Sequence, residues 1–164
     1  MFLAKRVSMS RVAALVLNWN SYSDTIRCVD NLRQSLRPFD AILVVENGSS
    51  DSSLESLQKV IDDQVQLVVS ETNLGFAGGC NLGLKRAASL DCDYVLLVNN
   101  DATIMPDALT ELLAAAEATN AALTGALVYD VTGDKLLFSG AKWPAALWSR
   151  GHLRPPKNDL YWAT

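Results

Sequence analysis

The chain has 164 residues, enough for one well-packed domain and too few for two ordinary ones. Its formal net charge of −4 leaves no broad basic surface for a nucleic-acid backbone, so nucleic acid is excluded as a partner. No apolar run approaches the roughly 20 residues that cross a bilayer, which predicts a protein that is soluble or peripheral to a membrane. The three cysteines lack a CxxC spacing and cannot all pair, which favours a reducing, cytoplasmic location.

Along the chain, short apolar runs alternate with amphipathic stretches, the order typical of an α/β sheet. We predict strands at 12–17, 41–45, 65–69, 94–98 and 122–128. We predict helices at 24–36, 52–61, 76–88 and 106–118. The strands are nearly all apolar, which indicates a mainly parallel sheet with helices on both faces. Right-handed crossovers then bring every strand-to-helix loop to one edge of the sheet.

Two local signals mark the starts of predicted helices. Ser52, with Glu55 three residues on, forms a capping box in which each side chain caps the other residue's backbone N–H. Pro106 suits a first helical turn because its missing N–H would have no partner there. The helices at 52–61 and 106–118 are therefore expected to begin at these residues.

The chain is expected to divide into three segments. Residues 1–11 form an N-terminal extension, 12–130 an α/β core, and 131–164 a final segment with a different pattern. The last segment is expected to contain loops and short strands, including one at 135–139 and one at 160–164. The basic residues and tryptophans near the chain ends have the chemistry to bind anionic lipid or a phosphorylated acceptor. The alternative, that they are ordinary surface charges without a ligand, is favoured by about two to one.

Polar residues directly follow the first two predicted strands. After the first strand, two amide side chains flank an indole: Asn18, Trp19 and Asn20. The indole can pack against a flat base while the amides form hydrogen bonds with it. A core tryptophan between Asx turns explains the same residues equally well. After the second strand, the carboxylate of Glu46 can accept the imide N–H of uracil or thymine. The alternative there is a plain loop, with Asp51 capping the next helix.

Two further clusters follow the third and fourth strands. Glycines in 73–81 allow close backbone approach beside a helix N-terminus that favours phosphate, although their spacing is not the dinucleotide-binding fingerprint. Asn99 and Asn100 precede Asp101, a carboxylate that can hold a divalent cation and so stabilise a departing diphosphate. The alternative is that Asp101 starts a turn before the Pro106 helix, and the metal site is favoured over it.

Four motifs, VLNWN, VVENGSSDSS, NLGFAGGCNLG and LLVNNDATIMP, occur in an order and spacing that resemble family-2 glycosyltransferases. The resemblance covers 12–128 well and the rest loosely, and it depends on the ordered set because no single motif is specific. It implies that 12–130 are the nucleotide-sugar-binding α/β core and that 131–164 are the incomplete start of an acceptor-side region. It implies a GT-A fold, a Rossmann-like nucleotide-diphospho-sugar transferase sandwich around a mainly parallel sheet. It also implies transfer of a sugar from a nucleotide-diphosphate donor to an acceptor, with inversion at the anomeric carbon.

The resemblance assigns residues to the nucleotide and to a metal. Its nucleotide-binding positions are Asn18, Trp19, Asn20, Glu46, Asn47, Asn73, Gly75, Asn81, Asn99 and Asn100. Glu46 replaces an aspartate that usually contacts the base and is one methylene longer, and Asn47 shares that contact. Asp101 matches the carboxylate of the DxD site, which implies Mn²⁺ or Mg²⁺ as cofactor. Because Asn99 supplies no charge at the first position of that site, the resemblance leaves metal dependence open.

The asparagine-bearing motif is typical of bacterial rhamnosyltransferase-like and other cell-surface polysaccharide enzymes. It makes dTDP-rhamnose a donor hypothesis and a glycan or lipid-linked molecule the expected acceptor. Members of the family take their catalytic base from a later Glu-Asp segment, which has no counterpart after Asp101; Asp130, Asp134 and Asp159 do not match it. The catalytic base is therefore unassigned, and the chain is expected to be truncated before the acceptor half and inactive alone.

Two other interpretations stay open. In the first, the chain is a catalytically incomplete nucleotide-binding or interaction module whose tryptophan-rich tail docks on a partner chain. In the second, it is a nucleotidyltransferase, which would need a loop rich in glycine and basic residues where this chain has Asn18, Trp19 and Asn20. An apolar surface or open strand left near the chain end would also favour a homodimer.

Overall fold

A computed structural model describes residues 10–142 and 151–152 of the chain. The chain divides into two compact units, Met1–Pro106 and Asp107–Thr164. All the tryptophans near the C-terminus, most of the basic residues near the chain ends, Asp159 and the predicted strand at 160–164 lie outside the described residues. The segment boundaries given by the sequence stay predictions.

The first unit alternates strands and helices. In chain order its elements are β1 (Val12–Asn18), α1 (Tyr22–Leu32), β2 (Ala41–Asn47), α2 (Ser53–Leu57), a 3₁₀ helix (Gln58–Val60), β3 (Val65–Ser70), α3 (Gly75–Ser89) and β4 (Tyr94–Asn99). The four strands form one sheet in the order β3-β2-β1-β4, and all three pairings are parallel. The predicted α/β architecture with a parallel central sheet is confirmed.

Helices α1 and α3 cover opposite faces of this sheet. Gly79 of α3 lies against β1, where an added Cβ would be 2.4 Å from Leu17 Cδ1. Thr25 of α1 instead bonds to the side chain of Asn18, and neighbouring strand residues point to opposite faces. Covered on both faces, β1 and β2 are buried along nearly their whole length, whereas the outer strands β3 and β4 are partly exposed.

The core on the α3 side contains small and branched apolar side chains from β1, β2 and α3: Ala13, Leu15, Ala41, Leu43, Val45, Cys80 and Ala87. Burying one leucine side chain here stabilises the fold by about 1.5–3 kcal/mol. A Cβ added at Gly83 would lie 2.1 Å from Leu15 Cδ1, so the helix packs this closely only because residue 83 is glycine. The close packing brings the start of α3 to the carboxyl edge of the sheet.

The second unit contains one long helix and short strands. These are α4 (Ala108–Thr119), β5 (Val128–Tyr129), β6 (Leu136–Phe138), β7 (Ala141–Lys142) and β8 (Gly151–His152). β5 pairs with β6 and β7 with β8, both antiparallel. The predicted strand at 122–128 is wrong, because a strand needs a neighbour for its backbone hydrogen bonds and 122–127 find none among the described strands.

Both predicted helix starts differ in detail from the structure. The Ser52 side chain makes no capping bond; the backbone N–H of Ser53 instead donates to Asp51 Oδ1 at 2.9 Å. The capping box is therefore wrong, and the capping role suggested for Asp51 is confirmed. α4 begins two residues after Pro106, whose carbonyl accepts the backbone N–H of Leu36 at 2.8 Å. Among the described helices, none has the length and apolar character that crossing a bilayer requires.

Candidate functional site

The polar clusters that follow the four parallel strands meet along the carboxyl edge of the sheet. Parallel pairing sets Asn18 beside Glu46, and the pairing of β1 with β4 sets Leu17 beside Asn99. Asn47 pairs with Ser70 at the end of β3, directly before the glycine-rich segment. The register therefore gathers the four clusters where α/β sheets bind their ligands.

Asn18 and Glu46 form a buried polar pair at the centre of this edge. Asn18 is fully buried and Glu46 is 2% exposed. Asn18 Nδ2 donates to Glu46 Oε2 at 2.5 Å, and the backbone N–H of Ser49 donates to Glu46 Oε1 at 2.6 Å. A carboxylate this deeply buried needs such donors, so the pair fixes the loop that follows β2 against the end of β1.

Asn47 holds the loop that follows β3, on the opposite face of the sheet from Glu46. Its Oδ1 accepts the backbone N–H of Leu74 at 3.1 Å, and its Nδ2 donates to Asn73 Oδ1 at 3.1 Å and to the Gly75 carbonyl at 3.3 Å. Asn73 Oδ1 also accepts the backbone N–H of Gly75 at 2.8 Å. Asn47, Asn73 and Gly75 therefore meet at this edge, and together they hold the N-terminus of α3.

The loops after β1, β2 and β3 touch one another. Gly48 has a φ of 67°, and an added Cβ would lie 2.3 Å from the Thr72 carbonyl carbon, so only glycine permits this approach. On the other side, the backbone N–H of Asn20 donates to Ser49 Oγ at 2.9 Å. Asn20 has a φ of 53°, a left-handed conformation that asparagine tolerates. The three loops thus form one connected platform.

A cavity of about 240 Å³ opens at this edge between β1, β4 and the start of α3. It is lined by Leu17, Trp19, Ser21, Phe76, Leu97, Val98, Asn99 and Asn100. Trp19 is 54% exposed and Phe76 is 58% exposed. The interpretation of Trp19 as a core residue is therefore wrong. Two uncovered aromatic rings beside amide groups provide flat apolar surfaces and hydrogen-bonding groups in one cavity.

Asp101 carries an exposed carboxylate just past the end of β4. Among the residues that the structure describes, its side chain forms no hydrogen bond or ion pair, and no group of three or more His, Cys, Asp or Glu side chains could hold a metal. A single carboxylate fits Mg²⁺ or a similar cation only when the phosphates of a bound ligand supply further oxygens. Asp101 thus suits a cation that arrives with a diphosphate.

Cys28 lies near this carboxylate and is chemically inert there. Burial raises the pKa of the Cys28 thiol to about 11, and the negative charge of Asp101 adds to the rise. The thiol is therefore protonated at neutral pH, and its Sγ lies 3.6 Å from the carbonyl oxygen of Asn99, to which it donates. The sequence analysis gave this cysteine no functional role, and its raised pKa agrees with that.

Thr25, a fully buried residue beside the site, was not predicted from the sequence. Its Oγ1 donates to Asn18 Oδ1 at 2.7 Å and accepts from Asn100 Nδ2 at 3.2 Å. The available signal was helix periodicity: Thr25, Cys28 and Leu32 lie on the buried stripe of α1, where a hydroxyl needs a polar partner. Asn100 is the partner that joins this helix to the end of β4.

The remaining predicted residues lie elsewhere. Asn81 is exposed on α3 and is not among the residues that line the cavity. Asp130 lies in the turn between β5 and β6, where the backbone N–H of Lys135 is the main cause that lowers the pKa of its carboxyl. A carboxylate with a lowered pKa is a weaker general base, so the structure gives no support for Asp130 in that role.

The fold and the site together define an α/β protein with a cavity and polar clusters at the carboxyl edge of a parallel sheet, where such sheets bind their ligands. The particular family follows from comparison with known proteins. The model for glycosyl transferase family 2 matches residues 14–162, and the chain belongs to this family. Among curated protein sequences, none matches the chain.

Solved structures share the fold at low sequence identity. S. aureus TarS 1–349 in complex with UDP-GlcNAc matches with a TM-score of 0.57 and 24% identity, over 67% of this chain and 32% of the TarS 1–349 chain. The mannosyltransferase PcManGT from Pyrobaculum calidifontis, in complex with GDP-Man and Mn²⁺, matches with a TM-score of 0.58 and 22% identity, over 65% of this chain and 32% of its own. A 4-diphosphocytidyl-2C-methyl-D-erythritol synthase matches with a TM-score of 0.53 and 13% identity. That match covers 88% of this chain and 73% of the synthase.

These matches confirm the GT-A fold that the resemblance implied. The match covers about a third of the length of the TarS 1–349 and PcManGT chains.

Proposed function

We propose that this chain binds a nucleotide-diphosphate sugar at the carboxyl edge of its sheet and forms the donor side of a glycosyltransferase. The observation that carries the proposal is that residues from the clusters after β1, β3 and β4, namely Trp19, Phe76, Asn99 and Asn100, line one cavity. The cluster after β2 does not line it, but its Glu46 and Asn47 hold the loops at the same edge of the sheet. Family membership and the nucleotide sugars bound by TarS and PcManGT support the same class of ligand.

The base and ribose are proposed to bind beside Trp19 and Asn20. The half-exposed indole offers a face for stacking, and the loops around it are already held by hydrogen bonds. Glu46 and Asn47 support this site from beneath, since each is only 2% exposed. Because its side chain is buried and both carboxylate oxygens accept hydrogen bonds from the protein, Glu46 is proposed to act on the base mainly through the loop that it holds. The direct base contact that the resemblance implies would use the lone pairs that remain, since a carboxylate has about four acceptor positions.

The diphosphate is proposed to lie between the start of α3 and Asp101. Gly75 has a φ of 70° and open space around it, which leaves room for a phosphate beside the first turn of α3, with Asn81 on the same helix as a more distant contact. Asp101, with Asn99 and Asn100, would hold Mn²⁺ or Mg²⁺. Such a cation would stabilise the charge of the departing diphosphate.

For the complete reaction we propose an inverting displacement that transfers the sugar, with dTDP-rhamnose as one donor, to a cell-surface polysaccharide or lipid-linked acceptor. The general base is unassigned, since the pKa of Asp130 is lowered and Asp134 lies in the same hairpin turn. The alternative proposal is a catalytically incomplete nucleotide-binding or interaction module. The two differ in the turnover of the complete protein, because only in the first does it transfer sugar; this chain alone is expected to be inactive in both.

The donor-binding proposal is tested by calorimetric titration of UDP, dTDP and GDP, each with and without Mn²⁺. We expect at least one nucleoside diphosphate to bind, with about tenfold higher affinity when Mn²⁺ is present. Asp101→Ala should remove that enhancement. Asp63→Ala, which removes another exposed carboxylate just before β3, should keep it. If none of the three diphosphates binds, the proposal is refuted.

We further propose a cytoplasmic location at the inner face of a membrane, and a homodimer. Exposed apolar side chains in the second unit support either contact: Val128, Tyr129, Leu137 and Phe138. Cosedimentation with anionic vesicles and the molecular mass in solution test the two separately. A clean monomer would refute the dimer, and the absence of protein from the vesicle pellet would refute the membrane contact.

A further inference from the structure

One face of α1 is bonded to the segment that carries Asp101. Thr25, Cys28 and Asn31 follow one another at intervals of three residues, so they lie along the same side of the helix. Each contacts a different residue of 99–104. The segment that follows β4 is therefore held at several points by a helix about 70 residues earlier in the chain.

Thr25 holds the first part of this segment through Asn100. Its hydroxyl lies between Asn18 Oδ1, at 2.7 Å, and Asn100 Nδ2, at 3.2 Å. A threonine hydroxyl has one hydrogen and two lone pairs, so it can donate to Asn18 while it accepts from Asn100. Because Thr25 is fully buried, it cannot touch a donor molecule itself.

Asn31 holds the far end of the segment through the backbone of Ile104. Asn31 Oδ1 accepts the Ile104 N–H at 2.8 Å, and Asn31 Nδ2 donates to the Ile104 carbonyl at 3.2 Å. Between these two attachments, the backbone N–H of Ala102 donates to the carbonyl of Asn99 at 3.0 Å, which closes a turn around Asp101.

We infer that Thr25 and Asn31 are positioning residues that fix the backbone on both sides of Asp101, and that Thr25 also links this segment to the Asn18 end of the site. Because it concerns how Asp101 meets a cation and a diphosphate, the inference rests on the proposed function. Within the described part of the chain the Asp101 side chain has no hydrogen-bond partner, so its position depends on these neighbours. A displacement of about 1 Å at such a site can lower binding or rate a hundredfold.

Two variants test the inference, each separately from global unfolding. Thr25→Val keeps the side-chain shape and removes the hydroxyl, with Thr25→Ser as the control that retains it. Asn31→Ala removes both bonds to Ile104 and leaves the bond between Thr25 and Asn18 intact, so it remains informative if Thr25→Val folds poorly.

The first readout is amide hydrogen exchange of the free protein, which needs no metal or ligand. We expect exchange at Ala102 and Ile104 to rise at least tenfold in Thr25→Val and Asn31→Ala, while amides of β1 and β2 stay protected. Thr25→Ser should exchange like wild type. Unchanged exchange at 102 and 104, or an equal rise throughout the sheet, would overturn the inference.

The second readout is the factor by which Mn²⁺ raises the affinity for the nucleoside diphosphate that binds best. We expect that factor to fall about tenfold in both variants, with affinity for the matching nucleoside unchanged in Asn31→Ala. A factor equal to that of wild type would overturn the inference while the proposed function stood. If wild type bound no diphosphate, the proposed function would fail, and amide exchange would still decide whether Thr25 and Asn31 order the segment.

Discussion

Gly48 and Gly75 provide a paired test of how closely the loops at the site approach one another. Both have a left-handed backbone, with φ values of 67° and 70°. Their surroundings differ: a Cβ added at Gly48 would lie 2.3 Å from the Thr72 carbonyl carbon and 2.5 Å from the Asn73 nitrogen, whereas nothing lies within 4 Å of one added at Gly75. Alanine at the two positions therefore introduces the same backbone strain but a different collision.

The expected magnitudes follow from these two terms. A left-handed conformation costs a residue other than glycine about 1–2 kcal/mol, so Gly75→Ala should lower the free energy of unfolding by about 1 kcal/mol. Gly48→Ala should lower it by a further 1–3 kcal/mol, roughly what overpacking costs, because the atoms it meets are backbone. The backbone at 72–74 cannot retreat freely, since Asn47 holds Asn73 and Leu74.

Urea denaturation of wild type and both variants measures the difference. We expect a lower midpoint for Gly48→Ala than for Gly75→Ala at the same slope, which isolates stability from changes in exposed surface. Equal midpoints for the two variants would refute the close approach of the loops after β2 and β3.

Two further predictions concern buried titratable groups. Glu46→Gln should lower the free energy of unfolding by about 1–3 kcal/mol. The carboxylate accepts from both Asn18 Nδ2 and the Ser49 N–H, whereas the amide has one acceptor oxygen, so its NH₂ group would face one of these two donors. Glu55→Gln, at an exposed ion pair, should change it by less than about 1 kcal/mol in urea denaturation, and equal effects would contradict the buried pair. The raised pKa of Cys28, from an ordinary 9.0 to about 11, means that the unfolded thiol ionises first. Wild type should therefore lose up to about 3 kcal/mol relative to Cys28→Ala as pH rises from 9 to 11, and parallel pH profiles would rule this out.

The order of elements and the four polar clusters were predictable because they depend on local patterns. β1 through β4 lie within two residues of their predicted ranges, since a buried parallel strand is a continuous apolar run that ends at polar residues. The same rule failed at 122–128, which is also apolar but has no partner strand among the described ones. An apolar run alone does not supply the neighbour that a strand requires.

The positions of the candidate site residues were predictable, but several of their contacts were not. Glu46 and Asn47 were predicted as contacts of a base, and the structure adds that their side chains bind protein loops. Thr25 was missed because a threonine in an amphipathic helix has no distinctive motif, and its importance comes from partners that only the folded chain supplies.

The sequence by itself determined the α/β rhythm, the parallel sheet and the strand ends that carry the polar clusters, because these follow from side-chain periodicity and from residues adjacent in the chain. Only the tertiary structure decided that Gly48 meets Thr72, that Thr25 meets Asn100 across 75 positions, and that Trp19 faces a cavity instead of the core. The physical reason is that strand register and helix packing act over long separations. They fix which distant side chains come within hydrogen-bonding distance, and no local pattern encodes that pairing.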